Sequence, residues 1–286
     1  MAKIVWIASY PRSGNTWVRF LLANLLYGPV PSSTELNRVI PDIHRTISGG
    51  QLHGNRKLLI KTHWRFDPWL PLREDTVGVI YVVRDPIDVL ASNLDYQVVR
   101  SPHLFTQATE TERREAVRRW IEDYIAVGGD PTLLQHGIGS WSENVASWTE
   151  APLPYPRLVL RYEDLKAATE PSLAKMAAFL EFTPDTGRIA EAVRRSSFEA
   201  MRALEEQEIR SRETGIFYSA GLEPGLARGH RFIRRGASGG QETLLTPAQR
   251  QAALERFGST MARFGYAEPA VQAAPAADRS STGSGR

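Results

Sequence analysis

Four short, mostly apolar segments alternate with amphipathic segments along this chain of 286 residues. They lie at residues 4–8, 57–61, 77–83 and 157–161, and each has the length and composition of a buried strand. Helical spacing of apolar residues follows between and after them. This alternation predicts an α/β fold with a central parallel β-sheet flanked by helices. We expect a single domain over residues 1–266.

The first predicted strand leads into a short loop with one glycine and small hydroxyl residues. Residues 10–17 read Tyr-Pro-Arg-Ser-Gly-Asn-Thr-Trp, and helical spacing runs from Thr16 to the Gly28-Pro29 pair. Such a unit directs backbone N–H groups and the helix dipole at one point, where an anion binds. The alternative is an ordinary βα turn with a capping Ser or Asn. The loop lacks the Gly-Lys-[Ser/Thr] ending of nucleotide triphosphatases, which disfavours a kinase.

Three other segments depart from the alternating pattern. Residues 96–150 contain an Arg- and Glu-rich helical pattern at 111–125, and we interpret them as an elaboration over the sheet edge. Residues 206–230 hold four glycines among charges and aromatics, which predicts a long mobile loop, either a lid or a linker, that is poorly ordered without ligands. Residues 267–286 lack aromatics and are predicted to be a disordered tail.

Composition excludes several kinds of protein. Hydrophobic residues make up 42% and charged residues 23% of the chain, a balance typical of globular proteins. The absence of cysteine excludes a disulfide framework, a thiolate zinc site and a cysteine nucleophile, and favours a reducing compartment. No apolar segment approaches the roughly 18 residues of a membrane span, so we expect a cytoplasmic protein without membrane contact. A net charge of +3 does not indicate a nucleic-acid partner, and no heptad pattern indicates an oligomeric state.

Two further groups follow predicted strands and are candidates for chemistry. Arg84 ends the third strand, with Ser92 eight residues later, and should emerge on the same side of the sheet as Arg12. A local ion pair with helix capping is the alternative. Lys61 and His63 end the second strand, where a histidine could act as a general base, although isolated histidines are more often structural. The other five have no motif around them: His44, His53, His103, His136 and His230.

Six motifs, in this order, resemble those of the cytosolic type of sulfotransferase that uses 3′-phosphoadenosine 5′-phosphosulfate (PAPS). They are residues 10–17, Lys61-Thr62-His63, Arg84 with Ser92, Arg161-Tyr162-Glu163-Asp164-Leu165, Ser196-Ser197-Phe198 and Arg234-Arg235-Gly236. The resemblance covers the chain from Val5 to about Tyr266. It implies PAPS as co-substrate, 3′-phosphoadenosine 5′-phosphate (PAP) as product, and a P-loop-like phosphosulfate loop. No close set of Asp, Glu and His suggests a metal, and none is predicted.

The resemblance also assigns donor-binding residues, which come from five of the six motifs. They are Arg12, Ser13, Gly14, Asn15, Thr16, Trp17, Arg84, Ser92, Tyr162, Ser197, Phe198, Arg234, Arg235 and Gly236. The loop from Ser13 to Thr16 would hold the 5′-phosphosulfate, and Arg84, Ser92 and residues 234–236 the 3′-phosphate. Trp17 and Phe198 would sandwich the adenine and Tyr162 would contact its edge. For these three aromatics the alternative is plain packing.

The resemblance implies catalytic roles for His63, Lys61 and Arg12. His63 would accept the proton of the acceptor hydroxyl, and the two cations would stabilise the negative charge that grows on the bridging oxygen. Two features depart from the commonest animal pattern. Arginine stands at position 12 in place of lysine, so we expect it to act through electrostatics and positioning. The Gly-Asp-Trp ending is missing after Gly236, which weakens the assignment of that loop.

The acceptor is predicted to be a small molecule with a hydroxyl group. The loops that would form its site carry the aromatics Trp64, Phe66, Trp69, Tyr96, Phe105, Phe217 and Tyr218, which suit a flat or bulky molecule. Residues 139–148 and 161–166 look most like bacterial enzymes that sulfate glycopeptide antibiotics, which favours a secondary-metabolite phenol or alcohol. A lipid, steroid-like or carbohydrate hydroxyl is the alternative. Two alternative functions from other classes of protein are a nucleotide kinase and a non-catalytic nucleotide-binding module.

Overall fold

The four predicted strands form one parallel sheet. The structure, a computed structural model, describes residues 3–45, 57–101, 109–219, 221–233 and 244–267. Strands β1 (Lys3–Ser9), β2 (Lys57–Thr62), β3 (Thr76–Val83) and β4 (Arg157–Arg161) pair in the order β2-β1-β3-β4, all in parallel. The predicted fold class is therefore confirmed, and the strand bounds differ from those expected by no more than a residue or two.

Eleven α-helices form within the described ranges. They are α1 (Asn15–Tyr27), α2 (Ser33–Val39), α3 (Pro86–Arg100), α4 (Glu110–Val127), α5 (Trp141–Thr149), α6 (Tyr162–Ala167), α7 (Thr169–Phe179), α8 (Thr186–Arg195), α9 (Phe198–Ser211), α10 (Glu223–Ala227) and α11 (Pro247–Arg263). Side-chain N-caps explain where several of them start, because a hydroxyl or carboxylate accepts from an otherwise unpaired N–H of the first turn. Asp85, Thr109, Ser140 and Thr246 cap α3, α4, α5 and α11 in this way.

Helices cover both faces of the sheet, which is why its strands are apolar on both sides. On β1, Trp6 and Ala8 face a core formed with α3, α4, α5 and α11. Val5 and Ile7 face the opposite core, formed with α1, α2, α7, α8 and α9. Helix α5 contacts the central strands β1 and β3, so the segment interpreted as an edge elaboration is in fact part of the first core. Helix α4 of this segment lies where the pattern predicted a helix, at residues 111–125, and is slightly longer than expected.

Residues 206–230, expected to be a loop, are partly helical. The segment contains the end of α9 and all of α10, and Ile216, Phe217 and Tyr218 between them are buried. Its mobility stays a prediction, which hydrogen exchange with and without PAP would test. The predicted tail beyond residue 267 and the motif at 234–236 lie outside the described residues. None of the helices in the described ranges is long and apolar enough to cross a bilayer.

Candidate active site

A cleft of about 1040 Å³ lies at the carboxyl ends of the strands. Each strand sends one motif residue into its wall: Arg12 follows β1, His63 follows β2, Arg84 follows β3 and Tyr162 follows β4. This is where parallel α/β sheets bind ligands. Because β2 and β4 are three strand spacings of about 4.8 Å apart, His63 and Tyr162 mark opposite ends of the cleft. The sheet thus brings four separate motifs into one elongated site.

The loop between β1 and α1 requires a glycine at position 14. Gly14 has a φ of 94° and is the N-terminal flanking residue of α1, which has no side-chain cap there. A Cβ atom at this position would lie 2.6 Å from Cδ2 of Tyr162, so any side chain would meet the aromatic ring. The loop backbone and the Tyr162 ring are therefore packed directly against each other. The uncapped first turn leaves N–H groups available for an anion.

Ser13 and Asn15 contribute differently to this loop. The Ser13 hydroxyl is buried and has no hydrogen-bond partner among the described residues, which is rare for a buried polar group. Asn15 donates from Nδ2 to the Ile7 carbonyl at 3.0 Å and to Ser9 Oγ at 3.2 Å. Asn15 therefore fixes the loop to β1, whereas the Ser13 hydroxyl is suited to a ligand. Thr16 lies in the cleft wall.

The guanidinium of Arg12 is held between two aromatic rings. Its Cζ lies 4.9 Å from the ring centre of Tyr96 and 4.4 Å from that of Phe232. Nε donates to Ser92 Oγ at 3.1 Å, and Nη2 donates to the Phe232 carbonyl at 3.4 Å. Burial lowers the pKa of Arg12 to about 10, so the group remains a cation at neutral pH. Ser92, expected at the 3′-phosphate, thus contacts the loop arginine.

Arg84 joins the loop to the opposite end of the cleft. Its Nη1 donates to the Arg12 carbonyl at 3.2 Å, its Nη2 lies 3.6 Å from Oδ2 of Asp88, and its Cζ lies 4.4 Å from the Tyr162 ring centre. The predicted partners Arg234, Arg235 and Gly236 lie outside the described residues. The chain just before them, at Phe232 and Ile233, lines the cleft.

Two aromatics expected at the adenine lie at the Tyr162 end. Trp17 meets Tyr162 edge to face, with ring centres 5.8 Å apart, and donates from Nε1 to the Ser196 carbonyl at 2.9 Å. Phe198 lines the cleft. It is 38% exposed, whereas most large apolar side chains in the described ranges are more buried. Ser197 instead caps α9, accepting a hydrogen bond from the Ala200 N–H. A donor contact of Ser197 stays a prediction.

His63 has one ring nitrogen committed to the backbone. Its Nδ1 lies 2.8 Å from the Ser9 carbonyl oxygen, and since a carbonyl only accepts, this nitrogen must carry the proton. The other nitrogen, Nε2, is then the basic one. Burial and the nearby charge of Lys61 hold the pKa of His63 well below 6.5. At neutral pH the ring is therefore uncharged and able to accept a proton.

Lys61 forms a buried ion pair with Asp42. Its Nζ lies 3.1 Å from Oδ1 and 3.0 Å from Oδ2 of that carboxylate, and the lysine is 7% exposed. Burial lowers the pKa of Lys61 to about 8, although Asp42 opposes the shift. Burial would raise the pKa of Asp42, but the charge and hydrogen bond of Lys61 and the charge of Arg19 outweigh that effect and lower the pKa. Asp42 was not among the predicted site residues.

His44 is a second residue that the sequence analysis missed. Its Nε2 accepts a hydrogen bond from the backbone N–H of His63 at 2.8 Å, and the two rings stack with centres 5.8 Å apart. Its ring also meets Trp64 edge to face. Desolvation in the cleft wall and the charge of Lys61 lower the pKa of His44 to about 4. No sequence motif marks His44, because its partners come from a distant segment.

The aromatics expected to bind the acceptor are mostly elsewhere. Trp64 and Phe66 pack on the first core, Phe217 and Tyr218 are buried, and Trp69 is 89% exposed. Of the six within the described ranges, only Tyr96 lines the cleft, and Phe105 lies outside those ranges. Next to Tyr96 and His63, the cleft is lined by charged and polar side chains, which are those of Asp95, Gln97, Arg100, Asp130 and His136. Leu133 and Ile138 lie among them, so the described part of this wall combines polar and apolar side chains.

Although Asp42, His44 and His63 lie near one another, no group of three or more Asp, Glu or His side chains in the described segments is arranged to hold a metal ion.

Comparison with known proteins gives a family and a fold. Residues 3–265 match the family described as "Sulfotransferase domain". Mouse sulfotransferase 1B1 is 27% identical over 208 residues, which cover 68% of this chain and 64% of that protein. The rabbit (Oryctolagus cuniculus) amine sulfotransferase is 24% identical over 272 residues, covering 91% of this chain and 81% of that one. The match to the mouse protein thus spans less than two thirds of its length.

A solved structure with a similar fold is that of mouse sulfotransferase SULT7A1, which was crystallised with PAP. It aligns with a TM-score of 0.60 and 21% identity over 91% of this chain and 84% of that one. This similarity concerns the fold of the chain.

Proposed function

Because the chain belongs to the sulfotransferase domain family, we propose that it transfers a sulfuryl group from PAPS to a hydroxyl group of a small molecule. The observation that carries this proposal is the meeting of four motifs in one cleft, which is lined by the glycine loop, by Lys61 with His63, by Arg84 and by Tyr162. The mouse structure with a similar fold contains PAP, the product that such a donor leaves behind. The absence of cysteine supports a cytoplasmic enzyme.

The residues of the cleft fit the donor at both ends. The buried Ser13 hydroxyl lacks a partner among the described residues, and the uncapped N-terminus of α1 adds N–H groups beside it; both suit an anionic phosphosulfate. Trp17, Tyr162 and the exposed ring of Phe198 offer aromatic surface for an adenine. Arg84 and Ser92 would contact the 3′-phosphate, together with Arg234, Arg235 and Gly236 as the resemblance implies.

His63 is proposed as the general base. The bound donor supplies the sulfuryl group and a phosphate leaving group. As the acceptor oxygen forms its bond to sulfur, its proton passes to Nε2 of His63, and the electron pair of the broken S–O bond remains on the bridging phosphate oxygen. The Nδ1 contact with Ser9 keeps Nε2 unprotonated before the reaction. The low pKa of His63 keeps most of the enzyme in the active form at pH 7.

Lys61 and Arg12 are proposed to stabilise the negative charge of the leaving group. Both are cations inside the cleft wall, where a reduced dielectric strengthens their effect. Lys61 is aligned by Asp42, and Arg12 by Ser92 and the Phe232 carbonyl. Neither needs to donate a proton, because a phosphate is already a stable leaving group.

For the acceptor we propose a polar, hydroxyl-bearing natural product, such as a glycopeptide-type antibiotic scaffold. The polar side chains of Asp95, Arg100 and His136 in the cleft wall support a molecule with several hydrogen-bonding groups. The same observation favours a carbohydrate hydroxyl as the second candidate over a lipid or a steroid-like molecule, because an apolar acceptor would cover these polar groups without forming hydrogen bonds to them.

The first experiment is isothermal titration with PAP in the absence of metal. We expect binding in the micromolar range or tighter, lost in Arg84→Ala and retained in Arg113→Ala, a control on the exposed side of α4. Sulfuryl transfer from PAPS is then measured with glycopeptide, oligosaccharide, phenol and steroid acceptors. Binding of ATP with Mg²⁺ in place of PAP would overturn the proposal in favour of a kinase, and PAP binding without any transfer would favour a non-catalytic module.

A further inference from the structure

The segment at residues 41–43 runs beside the end of β2, on the edge away from β1. Lys61 donates its backbone N–H to the Pro41 carbonyl at 2.8 Å, and Ile43 donates its own to the Lys61 carbonyl at 3.1 Å. These bonds make a parallel bridge between Asp42 and Lys61. An Asp-x-His sequence at 42–44 therefore lies alongside the Lys-x-His sequence at 61–63, with the same spacing.

The side chains of the two sequences pair in the same order. Asp42 holds the Lys61 ammonium through both carboxylate oxygens at 3.0 and 3.1 Å. His44 accepts the His63 backbone N–H at 2.8 Å and stacks on its ring. Asp42 Oδ1 also accepts the backbone N–H of His44 at 3.0 Å. The cation and the base of the proposed reaction are thus each contacted by one member of a second, internally linked pair.

We propose that Asp42 and His44 are positioning residues of the sulfuryl-transfer centre. Asp42 keeps the ammonium group of Lys61 charged and fixed at the cleft, and His44 fixes the backbone of His63 so that Nε2 faces the acceptor. This inference rests on the proposed function, since it concerns the two groups that carry the transfer.

The charges around Lys61 explain why it needs Asp42. The titratable groups that face it and Asp42 are Arg19, Arg45, His44 and His63. Arg19 and Arg45 are cations that disfavour a further positive charge, and burial acts in the same direction. Asp42 is the acid that opposes them. With a neutral residue at position 42, the lysine would lose its proton at a lower pH and the site would lose its cation.

The direct test is a ¹³C NMR titration of the lysine side chains. The chain has five lysines, Lys3, Lys57, Lys61, Lys166 and Lys175, so Lys61 can be assigned by comparison with Lys61→Arg. We expect its midpoint near pH 8, and a midpoint lower by about 1–3 pH units in Asp42→Asn. Asp42→Glu should restore it, and Glu35→Gln on nearby α2, which pairs with Arg38 at the surface, should leave it unchanged. An unchanged midpoint in Asp42→Asn would overturn the role of Asp42.

Kinetics supply a second measurement. In Asp42→Asn, the alkaline decline of kcat/KM for the donor should begin at a lower pH, shifted by the same interval as the NMR midpoint. Above that pH, kcat/KM should be about tenfold lower than in the wild type for each pH unit of the shift. A merely structural defect would lower the rate equally at every pH. If the wild type transfers nothing from PAPS, the proposed function fails, while the NMR result still decides how Asp42 and Lys61 are coupled.

For His44 the matched variants are Gln and Phe. The Gln side chain offers an amide oxygen near the place of Nε2 and should retain most of the activity. Phe keeps a ring for stacking but leaves the His63 N–H without its acceptor, and kcat should fall about tenfold with the KM for PAPS unchanged. Equal activity of the Phe variant and the wild type, or an equal loss in both variants with unchanged melting temperature, would contradict the hydrogen-bond role.

Discussion

The carboxylate of Glu205 accepts a hydrogen bond from the backbone N–H of Phe232 at 2.5 Å. Its other oxygen accepts from the Ile233 N–H at 3.1 Å, and the side chain is fully buried. One acidic residue of α9 thus fixes the two residues that directly precede the motif at 234–236. Because Phe232 also covers the guanidinium of Arg12, Glu205 connects α9 with the donor loop as well.

We predict that Glu205→Gln weakens PAP binding. An amide can accept with one oxygen only, so one of the two N–H groups loses its acceptor, at a cost of about 1–3 kcal/mol. Isothermal titration should show the loss of affinity as the segment before residue 234 loosens. Glu191→Gln is the matched control, because Glu191 pairs with Arg194 at the surface of α8. Affinity equal to that of the wild type would show that the segment is held by other contacts.

We predict that Gly14→Ala abolishes donor binding. The added Cβ would meet the Tyr162 ring at 2.6 Å, which forces the loop or the ring out of place. Gly28→Ala separates this effect from backbone strain, because Gly28 also has a positive φ, of 87°, but nothing within 4 Å of an added Cβ. That control should cost about 1–3 kcal/mol of stability and leave PAP affinity unchanged. PAP binding by Gly14→Ala as tight as that of the control would contradict the close packing.

The sequence was sufficient to predict the parallel sheet and the position of several motifs at the ends of its strands. Each apolar segment is continuous and bounded by polar residues, so the strand positions could be assigned locally. Because parallel strands end on one edge, residues such as His63 and Arg84 could be placed in one cleft before their contacts were known. The Thr109 capping box of α4 likewise follows from local sequence.

The contacts that the sequence did not predict are tertiary. Asp42 and His44 lie beside Lys61 and His63 only because residues 41–43 pair with the edge of β2, and no local pattern encodes that pairing. Likewise, Tyr96 packs against Arg12 because the arginine side chain turns toward α3. The residue types indicated which chemistry the site could perform. The contacts of each charged side chain, however, depend on how distant segments pack together.

The pH dependence of kcat/KM for the donor should form a plateau with a decline on either side. His63 must be neutral to accept a proton, and its pKa lies well below 6.5, so the rate rises as the pH increases through that lower value. Lys61 must be charged, and its pKa is about 8, so the rate falls as the pH rises through 8. In Lys61→Arg the cation persists at high pH, and the alkaline decline should disappear. An alkaline decline unchanged by that substitution would assign it to another group.

The remaining prediction concerns the arginine of the glycine loop. If Arg12 acts through its charge and position alone, Arg12→Lys should keep kcat/KM within about tenfold of the wild type, or 1.4 kcal/mol. A lysine ammonium can reach Ser92 or the Phe232 carbonyl but lacks the planar fork that contacts both, so some loss is expected. Arg12→Ala removes the cation from the leaving-group side and should reduce kcat/KM on the order of 100-fold.

A third variant, Ser92→Ala, separates charge from alignment. It keeps the Arg12 cation between Tyr96 and Phe232 but removes the oxygen that accepts from Nε, so its loss should lie between those of the Lys and Ala variants. Steady-state kinetics with PAPS, at saturating acceptor, measure all three. If Arg12→Lys is as impaired as Arg12→Ala, charge is insufficient, and the fork geometry of the guanidinium must itself take part in binding the donor.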